Sequence, residues 1–389
     1  MKKVLLCLLI FAALCLALTN FIFDKNTAFA YAPTDLKMGT KADSCVLADY
    51  DSATIIYQRN AQSKRPIASI TKLMTLIVAY DSINSGKGSL DDLVTISANA
   101  ADMGGSQAFL DANSRHRMSD LLKLIIVCSA NDASVAVAEH LYGSVETFVS
   151  KMNKKASELG LVATNFVNCT GLPALNQYSC AIDCVKMLSY LIRQKNNYFD
   201  YSKIWLEDYV HPNGRVTTIT NTNKLVRFYS GCDGGKTGFT NEAMHCLCAT
   251  AKRGETRLIA CVLAEPDSKT RFAEVSEMLN FGFANYQNKV YLDFDGINNA
   301  DIKGGKQDTL KVAPVKKLCT FTEKGQDDNT VKVVIDIKSV KAPVKQNDII
   351  GKAYLVKNDK VISETDILAL ETVEAKTYFD NIGDILRQW

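Results

Sequence analysis

The sequence predicts a mixed α/β domain followed by a small all-β domain. Three observations carry this. Between residues 44 and 286, apolar residues recur on both helical and strand periods. The composition shifts near Asn288. Beyond it, short strand-like runs are separated by Gly, Asn, Asp and Lys turns, with no helix-period stretch until the final segment. A chain of 389 residues is long enough for two domains, and 47% hydrophobic with 22% charged residues suits a full buried core.

The first element is an export signal. Lys2 and Lys3 precede an unbroken apolar run of 15 residues, 4–18, and Ala28-Phe29-Ala30 has the small-x-small pattern of a cleavage site. The run is short for a membrane span, which favours cleavage after Ala30. Leu14 stands before Cys15 where a lipoprotein signal needs a small residue. Export without N-terminal lipid is expected, to the cell wall or the outer face of the cytoplasmic membrane.

Residues 44–48 and 53–57 read as strands around a turn at 49–52. Residues 70–83 are apolar on a helical period and are closed by Gly86 and Gly88. Further helices are expected over 118–127, 133–141, 145–159 and 181–194. Strands follow at 247–251 and 257–263, joined by a turn over 252–256, and then a helix over 271–286. The β tail is expected to use 290–294, 309–313, 331–337, 349–356 and 361–367.

The last segment, 378–389, places Phe379, Ile382, Ile385, Leu386 and Trp389 on one helical face. It reads either as a helix making peripheral membrane contact or as a terminal helix packed on the β domain. Its polar face sets Asp380 and Asp384 against Arg387, without the basic character of most membrane-surface helices. The expected division is therefore 1–30 signal, 31–287 α/β domain, 288–375 all-β domain and 376–389 terminal helix.

The formal net charge is +3, and removing residues 1–30, with Lys2, Lys3, Lys25 and Asp24, leaves +1. That balance excludes the electrostatic footprint of a nucleic-acid binder. The 12 cysteines are scattered, and Cys128, Cys246, Cys248 and Cys261 sit in apolar runs as small buried hydrophobes. With no C-x₂-C pair and four scattered histidines, no metal site is expected. One or two disulfides stay open.

Three short stretches carry chemistry. In Ser69-Ile70-Thr71-Lys72, serine and lysine lie three apart at a helix start, one turn apart on the same face. A serine hydroxyl needs a base, and a desolvated lysine near another cation becomes one; Lys236 is a candidate for that cation. In Ser129-Ala130-Asn131, Ser129 could pass a proton to a leaving amine while Asn131 holds substrate backbone. A bare helix cap at Asn131 or Asp132 is the plainer alternative. In Lys236-Thr237-Gly238, ahead of a strand hairpin, positions 236 and 238 share one face. Lysine can project into a site while glycine leaves room for substrate backbone. Each stretch is common alone. In this order they describe a serine acyl-transfer centre.

Together they resemble the motif set of penicillin-binding proteins and serine β-lactamases. The wider stretches resemble the low-molecular-mass D-alanyl-D-alanine carboxypeptidases. These are Pro66-Ile67-Ala68-Ser69-Ile70-Thr71-Lys72-Leu73-Met74-Thr75, Gly104-Gly105-Ser106-Gln107, Ser129-Ala130-Asn131-Asp132-Ala133, Thr170-Gly171-Leu172-Pro173, Asn221-Thr222-Asn223-Lys224 and Asp233-Gly234-Gly235-Lys236-Thr237-Gly238-Phe239-Thr240. The resemblance implies a serine β-lactamase/penicillin-binding-protein-like α/β fold, with a helical subdomain against a central antiparallel sheet, followed by the small all-β domain. It implies Ser69 as nucleophile, Lys72 as general base, and Ser129 and Asn131 as the second motif. Lys236, Thr237 and Arg271 would hold the substrate's terminal carboxylate, and the backbone N–H groups of Ser69 and Phe239 would form the oxyanion hole. The substrate would be peptidoglycan stem peptide, β-lactams would acylate the same serine, and no cofactor is implied. Two positions depart from the family: Met244 where relatives usually have glycine, and Gln177 where many have histidine.

A class A β-lactamase would need an E-x-x-x-N glutamate between the second and third motifs. Glu139, Glu146, Glu158 and Glu207 are followed four residues later by Gly143, Ser150, Val162 and His211. A non-catalytic wall-binding or penicillin-sensing protein would have no need of Ser69, Lys72 and Lys236 together. D,D-endopeptidase action on cross-links stays open.

Overall fold

A computed structural model describes residue 38 and residues 41–382 apart from 195, 327–329, 338, 379 and 381. The expected export signal and most of the expected terminal helix lie outside the described residues. Among the described residues, no helix is long and apolar enough to cross a membrane.

The described residues divide into two compact units: those up to 252 together with 257–282, and 253–256 together with those from 283 onward. The first is built on a five-stranded sheet in the order β2-β1-β9-β8-β7. Its strands are β1 (Ser44–Asp49), β2 (Ile55–Arg59), β7 (Cys232–Thr240), β8 (Met244–Arg253) and β9 (Thr256–Glu265). β1 lies antiparallel to both β2 and β9, and β7 antiparallel to β8. Both ends of the unit thus meet in one sheet, with Val46 opposite Cys261.

Helices α1 (Lys72–Asn84), α2 (Met118–Val127), α3 (Asn131–Tyr142), α4 (Val145–Glu158) and α5 (Ala181–Arg193) share the unit's apolar core with β1 and β9. α1 is buried along Lys72–Tyr80 and again at Ser82. A helix that is apolar on every side belongs in a protein's centre, and this one carries Lys72 there. α6 (Ser268–Asn285) follows β9. The unit also holds two small antiparallel pairs: β3 (Leu93–Thr95) with β4 (Arg115–Arg117), and the hairpin of β5 (Leu206–Val210) with β6 (Val216–Thr220).

The second unit is all-β. Its six-stranded sheet uses β11 (Asn299–Lys303), β12 (Thr309–Pro314), β14 (Val331–Ile337), β15 (Val340–Lys341), β16 (Ile349–Lys357) and β17 (Lys360–Ala369). A separate pair joins β10 (Tyr286–Leu292) to β13 (Leu318–Glu323). Leu310, Val312, Leu318, Leu355 and Ile367 fill a core of its own.

Several expectations shift in detail. The helix expected over 70–83 begins as a 3₁₀ turn, Ala68–Thr71, and becomes α-helical only at Lys72. The helix expected from 133 begins at Asn131. The turn between β8 and β9 is shorter than expected, because the strands run to Arg253 and restart at Thr256. Lys236-Thr237-Gly238 lies inside β7, directly ahead of the β8–β9 hairpin as expected. The β5–β6 hairpin has no sequence forecast, since each strand buries a single residue, Tyr209 or Ile219. The ten described cysteines are all free, so no disulfide forms among the described residues.

Candidate active site

The 3₁₀ turn presents Ser69 at the base of α1. Ala68 just before it takes φ 46°, a left-handed conformation that non-glycine residues avoid. Strand β7 and the loop carrying Gly171 close on that bend. Lys72 is 0% exposed. Its Nζ donates to Ser69 Oγ at 3.0 Å, to Asn131 Oδ1 at 2.6 Å and to Thr170 O at 2.6 Å. Among the described residues no carboxylate lies within ion-pair distance of it. Burial therefore pulls Lys72 down to about 7, against weaker opposing pulls from Cys169, Cys128 and Asp132. The sequence expectation named desolvation together with a second cation, Lys236. The dominant cause is desolvation.

Ser129 also takes a left-handed backbone, φ 65°, and is buried. Its Oγ has no hydrogen-bond partner among the described residues, an expensive state for a buried hydroxyl unless a ligand completes it. Asn131 caps nothing. Its side-chain amide accepts from Lys72 and donates to Gly104 O at 2.7 Å, tying the base to the 104–110 loop. Asp132 was read only as a cap alternative and does more. Its carboxylate accepts from the N–H groups of Ala108 at 3.0 Å, Leu110 at 3.1 Å and Ala133 at 2.9 Å, which clamps that loop to α3. Cys128, next to Ser129, is wall. Burial pushes its thiol up to about 12, and Sγ donates to Leu124 O.

β7 forms the opposite side. Lys236 is buried, and its Nζ donates to Thr237 O at 3.2 Å. Burial, with repulsion from Lys72 and Arg271, drives it well below the ordinary lysine range. Gly238 has a reason beyond the expected one. A Cβ there would sit 2.5 Å from Ile67 O and 3.3 Å from Ser69 N, so glycine lets β7 close directly onto the serine turn. Thr237 is buried, while Phe239 is exposed and stacks on His245 with ring centroids 4.4 Å apart. Arg271, buried, donates from Nη1 to Gly238 O at 3.0 Å and Cys246 O at 3.4 Å. It thereby cross-ties β7 and β8 at the end of the motif. Burial lowers its hold on charge.

A fourth segment, 168–178, closes the site. Asn168 Oδ1 accepts from Thr170 N at 3.2 Å and Gly171 N at 2.7 Å. Gln177 accepts from Val167 N and Asn168 N, and donates to Asn168 Oδ1 and Leu172 O. The departure at 177 is thus a loop brace. Gly171, at φ 86°, lies so close to the serine turn that a Cβ would meet Ala68 O at 2.1 Å. Met244, the other departure, takes φ 54°, which is why glycine suits that position.

Comparison with known proteins places this arrangement. The family model described as D-alanyl-D-alanine carboxypeptidase matches residues 30–267, and that described as penicillin-binding protein 5, C-terminal domain, matches residues 287–375. D-alanyl-D-alanine carboxypeptidase DacF of Bacillus subtilis (strain 168) is 36% identical over 369 residues, covering 92% of this chain and 94% of its own. The solved penicillin-binding protein 5 from Haemophilus influenzae is 30% identical, with a TM-score of 0.67 over 88% of this chain and 100% of that one. A solved Streptomyces K15 DD-transpeptidase, 30% identical with a TM-score of 0.58, is covered entirely by 65% of this chain. A family match over more than half the chain, and a relative this similar over nearly its full length, lead to one conclusion: the chain belongs to the serine-type D-alanyl-D-alanine carboxypeptidase family of low-molecular-mass penicillin-binding proteins.

Proposed function

We propose that this protein removes the terminal D-alanine from peptidoglycan stem pentapeptides through an acyl-enzyme on Ser69. The observation that carries the reading is the 3.0 Å contact between Ser69 Oγ and a fully buried Lys72 whose affinity for a proton falls to about 7. Neutral Lys72 takes the hydroxyl proton as Ser69 attacks the carbonyl of the penultimate D-Ala. The oxyanion that develops is met by the backbone N–H groups of Ser69 and Phe239. Ser129, whose Oγ has no partner among the described residues, relays the proton to the leaving amine of D-alanine. Water then hydrolyses the ester and frees Ser69. Asn131 orients Lys72 and the substrate backbone. Lys236 and Thr237 receive the free C-terminal carboxylate. Arg271 adds charge there and holds the strand that carries Gly238. β-Lactams acylate the same serine, and the route uses no cofactor.

The domain reading is 31–287 for catalysis and 288–375 for the all-β domain, supported by the two separate cores. Residues 1–30 direct export, so the reaction takes place in the cell wall or at the outer face of the cytoplasmic membrane. Residues 376–389 are the segment offered for peripheral membrane contact.

The test is D-alanine release from a pentapeptide ending in D-Ala-D-Ala, comparing the protein with Ser69→Ala, and intact mass after penicillin. The expected result is release that vanishes in the variant and a single penicillin adduct on Ser69. A protein that forms no adduct and releases no D-alanine overturns the reading.

A further inference from the structure

A cleft of about 570 Å³ opens beside the serine turn, lined by residues 64–66, 173–178 and Glu242. Its walls are fixed by backbone and side-chain bonds. Arg65 and Ser179 exchange N–H···O bonds at 2.7 and 3.0 Å, and Asn165 and Tyr178 do so at 2.9 and 3.1 Å. Gln177 braces the remaining wall, the one that also carries Thr170 O, the acceptor for Lys72. Neither Lys64 nor Glu242, which also line the cleft, takes part in those bonds.

Its charges are of both signs. Lys64 Nζ lies 4.6 Å over the Tyr178 ring and 3.4 Å from that tyrosine's hydroxyl. Arg65 is already paired with Asp43 at 3.2 Å. Glu242 stands exposed on the turn between β7 and β8. Among the described residues, no carboxylate lies within ion-pair distance of Lys64 and no cation within that distance of Glu242. One cation, resting on Tyr178, and one anion therefore line the cleft without an ion-pair partner among the described residues.

The direction of β7 says which part of a substrate would reach them; this rests on the function proposed above. There the terminal carboxylate sits at Lys236 and Thr237, and the scissile carbonyl at the Phe239 N–H. Continuing in the same direction, β7 ends at Thr240 and the chain turns through Glu242. The acyl portion of the peptide must run that way, because the leaving D-alanine occupies the other. At roughly 3.3 Å per strand residue, positions 239 and 242 are at most about 10 Å apart, within reach of a long side chain on the residue before the penultimate D-Ala.

We propose that this cleft is a subsite for the side chain of the stem peptide's third residue, and that it selects a side chain ending in an amino-acid head group over one ending in an amine alone. The head group's carboxylate pairs with Lys64 and its ammonium with Glu242, while its methylene stem lies along Tyr178. A diamino dicarboxylic acid linked through one end has this chemistry. Lysine lacks the carboxylate.

The experiment compares two peptides ending in D-Ala-D-Ala that differ only in the third residue, a diamino dicarboxylic acid with a free end or lysine. kcat/KM for D-alanine release is measured beside the rate of penicillin acylation. The diamino dicarboxylic peptide is expected to be preferred by about tenfold, the scale of two partly exposed ion pairs. Lys64→Gln and Glu242→Gln should each erode that preference to about threefold or less, while leaving the lysine peptide and penicillin acylation unchanged. Equal wild-type rates for the two peptides, or variants that slow both alike, overturn this proposal alone. A wild-type protein inert to both peptides and to penicillin overturns the catalytic reading and this proposal with it.

Discussion

A lysine with no exposed surface and no carboxylate partner holds its proton weakly, because water no longer solvates the charge. Lys72 meets that condition at the base of α1, where its acceptors among the described residues are Ser69, Asn131 and Thr170. Its neutral fraction grows as pH rises through about 7, so the rate of penicillin acylation should climb with one proton's slope through that pH and then level. Lys72→Arg keeps the charge but cannot give it up, and should lower acylation by about 10³-fold and abolish the rising limb. Stopped-flow acylation over pH 5–9, with circular dichroism as a check on folding, reads both; an unchanged limb in the variant would assign the base elsewhere. The pairing of Ser69 with Lys72 is legible from their spacing of three. The low proton affinity is not, since nothing local to S-x-x-K says that α1 runs through the centre of the core.

At the scale of elements, the site depends on how closely two neighbours approach one 3₁₀ turn. Gly238 of β7 and Gly171 of the 168–178 segment both abut it, and a methyl at either would overlap main-chain oxygen, Ile67 O at 2.5 Å or Ala68 O at 2.1 Å. Backbone cannot swing aside as a side-chain tip can. Gly238→Ala should therefore destabilise the protein by about 1–3 kcal/mol and slow penicillin acylation. Gly171→Ala should do the same with an added penalty for its φ of 86°. Thermal melts with acylation rates measure both; a normal melt with normal acylation would show that the turn tolerates displacement. The sequence placed most helices within a few residues, because α2, α4 and α5 announce themselves by apolar period and boundary glycines or charges. It missed β5 and β6, each with a single buried side chain, and it gave no sign that protein backbone also demands glycine at 238. Asp132 was equally invisible as a loop clamp, since its partners Ala108 and Leu110 lie more than twenty residues away in sequence.

For the whole molecule, the first core draws on β1, β9 and helices α1 to α5, and the second on strands beyond residue 290. All the residues assigned to acylation belong to the first. A chain of residues 31–287 should therefore fold and be acylated by penicillin at a rate within about threefold of the longer protein, since each core buries its own apolar surface. Intact mass against time decides it; a fragment that is soluble and folded but inert would show that the β domain completes the site. The boundary was visible as a change of composition near Asn288, because alternating short strands and polar turns look unlike helical periods at any scale.

By itself the sequence determined the order of the three motifs, the chemistry those residue types allow, and the succession of an α/β region and a β region. Those are properties of residue identity and local periodicity. Only the tertiary structure decided that Lys72 is desolvated, that Asn131 tethers it, that the Ser129 hydroxyl has no partner among the described residues, and that glycines 171 and 238 let two distant segments close on Ser69. Each of these depends on contacts between segments far apart in the chain, and burial, which sets proton affinity and hydrogen-bond demand, is a property of the packed whole.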